Sequence, residues 1–232
     1  MKIEKSAIDA AGDPDHKFWY RVGSIAAIVL GIGYIIIIPL YARVGAPPSG
    51  GAAWFNYLPG KTTIWWAILA LSVFTDFLYV PIALVLYLAL EKVNRGAMLL
   101  ATTFLVLFVA LDLAITWSHY ASMLVLYGQY ITATSDLQRA GFLAAANYGA
   151  AVLASPLEVV IAIVTPSFGI LVTGIVMLRG VFDKITAWLA VAVGVFGIAS
   201  LTGLGLAIYG NALLFTVWLF FVGYRLYRLA QD

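Results

Sequence analysis

The sequence predicts an all-α fold: a polytopic membrane helix bundle with six transmembrane helices and both termini cytoplasmic. Three observations lead there. Hydrophobic residues make up 63% of the 232 residues and charged residues only 10%, where a soluble domain carries about 25% charged. Six runs reach the length of about 20 mostly apolar residues that a bilayer span requires. Lysine and arginine gather on one side of those runs. The same composition excludes other classes. A formal net charge of +2, with no basic block interleaved with aromatics, excludes a nucleic-acid partner. There is no cysteine, hence no disulfide, thiolate metal site or cysteine nucleophile. The two histidines, His16 and His119, cannot alone build a paired-histidine haem or a multi-histidine metal centre, so no metal and no cofactor is expected.

The chain opens with a polar N-terminal tail over residues 1–17, "MKIEKSAIDAAGDPDHK". It lacks the apolar core of a cleavable signal peptide. A six-helix transmembrane domain follows over residues 18–228. Its spans read Phe18–Tyr41, Thr63–Leu90, Ala97–Tyr120, Leu157–Leu178, Ile185–Thr202 and Leu206–Tyr224. The connection between the last two falls at "LTGLG" or at "YGN", both of which contain glycine. Ten basic residues lie on the side of the termini and the short turns "EKVNRG" and "RGVFDK". Only Arg43, Lys61 and Arg139 lie on the other. That asymmetry makes the first side cytoplasmic, with membrane lipids around the bundle.

The outer side carries the longer connections. One is "RVGAPPSGGAAWFNYLPGK"; the other is an outer segment at about residues 128–156. Trp54, Trp65, Trp66 and Trp117 cluster toward that face, with Trp19 and Trp188 on the inner one, as aromatic belt anchors do. Within the outer segment, Ser135 or Asp136 can cap a helix. The alanine-rich run after it reads either as a helix lying on the membrane or as the upper half of a long helix bent at Pro156. On the fifth span, Ala187, Ala190, Gly194 and Gly197 form a small-residue stripe that marks close helix packing.

Asp76, Asp112 and Glu158 stand in or beside the hydrocarbon. A charged carboxylate at mid-span costs about 2.5–3.5 kcal/mol, so such a group faces the bundle interior or a wet cavity. The second and third spans form a hairpin about Asn94, with Asp76 18 residues before it and Asp112 18 residues after it. At 1.5 Å per residue both then lie about 24 Å from the inner helix ends. Asp112, Thr116 and His119 follow i, i+4, i+7 spacing and share a helix face. Pro81 removes the amide that would bond the carbonyl of Phe77, beside Asp76. Glu158, just after Pro156, belongs near the outer boundary. The expectation is an outward-facing polar recess with Asp76 and Asp112 at its floor and Thr116, His119 and Glu158 toward its mouth. Like charges resist joint ionisation, so the two aspartates would share a proton or hold a cation. Ordinary transmembrane pairing explains them as well, His119 as an interfacial histidine bonded to water and Glu158 as a stabiliser of a helix start.

Two stretches carry a family resemblance. "DFLYVPIALVLYLALEKVNRGAMLLATTF" and "GIVMLRGVFDKITAWLAVAVGVFGIASL" resemble the helix–basic turn–helix patterns of the bacterial polytopic family catalogued as domain of unknown function 4386. The resemblance covers about half of the chain and implies a six- or seven-helix bacterial inner-membrane protein. It brings no catalytic residues. Three functions follow from the residues. The first is a small transporter or ion-coupled carrier with a proton, cation or small ligand in the outer half. The second is a non-catalytic scaffold, ligand binder or complex subunit, with association into an oligomer left open. The third is an intramembrane enzyme acting on a lipid or isoprenoid substrate.

Overall fold

The computed structural model describes residues 14–231. Among them every regular element is helical. The elements run α1 (Pro14–Val44), α2 (Gly51–Tyr57), α3 (Thr62–Leu111), a π-helical stretch (Asp112–Trp117), α4 (Ser118–Thr132), α5 (Asp136–Leu153), α6 (Pro156–Val159), a second π-helical stretch (Val160–Val164), α7 (Thr165–Met177), α8 (Lys184–Ala199), a 3-10 turn (Ser200–Thr202) and α9 (Gly205–Leu229). Among the described residues, five uninterrupted helical stretches are long and apolar enough to cross a membrane: His16–Val44, Thr62–Thr132, Pro156–Met177, Lys184–Thr202 and Gly205–Leu229.

Most of the tail predicted over residues 1–17 lies outside the described residues. Its last part belongs to α1, which begins at Pro14 rather than Phe18; proline's fixed φ suits a first helical turn. The 71-residue stretch is not one straight rod. Asn94 has φ −157 and ψ 91, which breaks it in two. The Asn94 side chain accepts from the Ala97 amide at 3.1 Å, capping the second arm. The two arms then run back along each other. The Tyr79 and Phe108 rings meet at 4.9 Å, and Thr102 Oγ1 donates to the Ala83 carbonyl at 3.5 Å. The second arm continues through α4 to Thr132, twelve residues beyond the predicted Tyr120.

Small residues set the closest packing. Ala187, Ala190, Gly194 and Gly197 are all buried. The stripe lies on α7: a Cβ at Gly194 would come within 2.4 Å of Leu171 Cβ, and one at Gly174 within 2.8 Å of Ala190 Cβ. The connection after α8 falls at "LTGLG", where Gly203 takes φ 72. At the start of α8, Asp183 accepts from the Thr186 amide at 2.9 Å and hydroxyl at 2.7 Å. Partial burial raises that carboxyl, but these bonds outweigh it and hold it below its ordinary range. Nearby, the Arg225 guanidinium donates twice to the Val181 carbonyl. Asn211 on α9 donates to Ser167 Oγ at 3.1 Å and to the Val193 carbonyl at 2.8 Å, tying α9 to α7 and α8. Alone, its sequence position gave no sign of that bridge.

At the opposite end the long connections are folded. α5 is a separate helix capped by Ser135, whose hydroxyl accepts from the Gln138 amide. It ends at Leu153, and Ser155 is extended before Pro156 opens α6, as the residue preceding a proline prefers. α2 docks on α5: the Gly51 amide donates to Asn147 Oδ1 at 2.9 Å, and a Cβ at Gly51 would lie 2.6 Å from the Asn147 amide nitrogen. This end has its own core, formed by Trp54, Phe55, Leu58, Trp65, Ile68, Trp117, Met123 and neighbours.

Candidate functional site: a buried acid pair under aromatic rings

The hairpin brings Asp76 and Asp112 together. Their carboxyl groups are adjacent, and they are 5% and 3% exposed. The Trp117 indole crosses from the second arm and donates to Asp76 Oδ2 at 2.7 Å. Asp112 also lies beside Thr116 and Trp117. These contacts leave two buried oxygens, Asp112 Oδ1 and Thr116 Oγ1, without a hydrogen-bond partner. No lysine or arginine is among the groups acting on either acid. The ion pair seen among the described residues, Arg139–Asp136 at 3.8 Å, is on the surface.

Local backbone explains the arrangement. Asp112 opens the π-helical stretch that ends at Trp117. A π turn closes i→i+5 bonds and is found often at functional sites. The added residue shifts the phase by about 100°, one residue's share of a 3.6-residue turn. This is why the predicted Asp112–Thr116–His119 face does not form. Thr116 stays with the acids. His119 is turned to α5, where its Nδ1–H donates to the Ile115 carbonyl at 2.6 Å and its ring meets Tyr148 at 5.8 Å. The second π stretch, Val160–Val164, packs against the first. Glu158 precedes it, half-buried, and acts electrostatically on Asp112.

Above the pair lies a roof of rings. Trp65 and Tyr120 stack at 5.1 Å with an interplanar angle of 19°. Trp54 meets both, at 5.6 and 5.9 Å. Tyr41 meets Trp65 at 5.7 Å, and Trp117 meets Tyr120 at 5.6 Å. Trp54, Trp65 and Trp117 were expected as belt anchors; all three are buried instead, while Trp66, Trp19 and Trp188 are exposed. The residue type was consistent with both, but the short helix α2 delivers Trp54 inward from a connection that read as a loop. Below the pair, Tyr34 and Tyr79 join hydroxyls at 3.0 Å. Trp117 is the contact that sequence reasoning missed. An indole on a span that faces two intramembrane acids was the signal, because a buried indole N–H usually finds an acceptor.

Fold and site together define a helical bundle suited to a bilayer, with an acid pair closed into its interior. Comparison with protein-family models, with curated proteins and with solved structures gives no match.

Proposed function

We propose that this is a small proton- or cation-coupled carrier of the bacterial inner membrane, with Asp76 and Asp112 as its ion-binding groups. In this reading the two arms about Asn94 count as separate crossings, giving six in all with both termini cytoplasmic. Exposed apolar side chains such as Ile25, Phe77, Leu107, Ile175 and Leu213 face lipid. Kinship with the family of domain of unknown function 4386 rests on the two turn motifs. The observation that carries the reading is a buried pair of adjacent carboxyl groups with no basic partner. Such a pair cannot stay doubly ionised in hydrocarbon, so a proton or cation must supply the missing charge. An outward recess forms when the aromatic roof moves aside.

In proteoliposomes, a proton or sodium gradient is expected to drive flux through the wild type. Asp76→Asn should lower it by about tenfold or more, since a hydrogen bond to a charged group is worth about 1.5–3 kcal/mol. Equal flux from both proteins removes the carrier reading. The bond from Trp117 to Asp76 favours a second reading, in which the acids tie the arms of a scaffold together. There, Asp76→Asn lowers the melting temperature in detergent and no flux exists to lose.

A further inference from the structure

Thr116 differs from four other helical threonines of this protein. Thr103, Thr132, Thr173 and Thr216 each donate to the carbonyl four residues back, at 2.8, 3.1, 2.9 and 2.8 Å. That bond is the ordinary resting place for a threonine hydroxyl inside a helix. Thr116 is 2% exposed, and its Oγ1 is not bonded to a backbone carbonyl. It sits inside the π-helical stretch. The hydroxyl lies against the Asp112 carboxyl group, whose Oδ1 is buried and unpartnered. Beside them is the Asp76 carboxyl group, with one oxygen taken by Trp117.

We infer that Asp112 Oδ1, Thr116 Oγ1 and the Asp76 carboxyl group form a binding site for a dehydrated monovalent cation. The inference rests on the carrier reading and names its coupling ion. A hard cation uses hydroxyl and carboxylate oxygens alike. Among the described residues no group of three His, Cys, Asp or Glu side chains comes together, so the harder demands of a divalent or transition metal are not met. The titratable groups facing the pair are Tyr34 and Tyr41 from α1, Tyr79 from α3, Tyr120 from α4 and Glu158 from α6. All are neutral or acidic, so none repels a cation.

The test is a titration of the purified full-length protein in detergent with sodium chloride, replaced by N-methylglucamine chloride to keep ionic strength fixed. Melting temperature and tryptophan emission are read together, because the Trp117 indole is bonded to the site. A saturable sodium response is expected, absent when N-methylglucamine chloride alone is varied. Thr116→Val should raise the half-saturating sodium concentration by about tenfold or more, the usual effect of disturbing a metal's surroundings, while Thr116→Ser should keep it near the wild type. No sodium response in the wild type, or an unchanged titration in Thr116→Val, each overturns the site. If Thr116→Val does not fold, the wild-type and Thr116→Ser titrations decide. Loss of this site with Asp76-dependent proton flux intact leaves the carrier reading standing. Flux indifferent to Asp76→Asn removes both.

Discussion

The two ends of the bundle are built on different rules. At the end of the short turns, α7, α8 and α9 are held by small residues and satisfied polar groups. Gly174 and Gly194 bring backbones together, Thr173 is bonded to its own helix, and the Arg225 guanidinium is bonded to the Val181 carbonyl. At the other end the core is made of rings, two helices pass through π turns, and Trp54 Nε1, Asp112 Oδ1 and Thr116 Oγ1 are buried without partners. The first end is bonded largely within itself, although Trp218 Nε1 on α9 is also buried without a partner. The second keeps unmet bonding capacity inside a closed space, and that is where a ligand has something to gain.

The largest effect is expected where the small-residue end has no room. Gly194→Leu would push a side chain into Leu171 and toward the Ser167 carbonyl, 3.0 Å from the new Cβ. Overpacking typically costs about 1–3 kcal/mol, and backbone contacts leave no soft neighbour to yield. The variant should melt well below the wild type in detergent or fail to accumulate. A wild-type melting curve would mean that this end is looser than its glycines indicate. At the roofed end, Trp117→Phe keeps an aromatic ring but removes the donor to Asp76. An unsatisfied buried acceptor costs about 1–3 kcal/mol, so denaturation in detergent should reveal an intermediate loss. If flux falls much further than stability, the indole positions the acid for binding; if stability alone falls, it is a tie between arms. The smallest effect is expected for His119→Gln. His119 spends its Nδ1–H on its own helix and faces α5, so stability should change by no more than about 0.5 kcal/mol and flux should hold. A clear loss of flux would put the histidine back with the acids.

What could be read in advance divides along the same line. Asp76 and Asp112 were matched by counting from Asn94, because helix rise is constant and the turn is short. The Ala187–Gly197 stripe pointed to packing because only small residues let backbones approach. Neither needs tertiary information. The π stretch at Asp112–Trp117 left no mark in composition or spacing. It is a shift of hydrogen bonds, and it alone moved His119 off the predicted face. Trp54 was equally hidden, because its direction depends on α2 docking through Gly51 onto Asn147, a contact between residues 96 positions apart. The Tyr34–Tyr79 and Asn211 bonds depend in the same way on which helices become neighbours.

The turn at Asn94 has a consequence beyond its own geometry. Beside the Trp117 bond that ties the arms locally, the matching of the two aspartates is set at the far end of the hairpin, about 27 Å off at 1.5 Å per residue. A single cap, where Asn94 receives the Ala97 amide, starts both arms counting from the same zero. The meeting of the acids is therefore a matter of equal chain lengths laid off from a common origin. The identity of the residues in between is free to answer to lipid and neighbours without disturbing it.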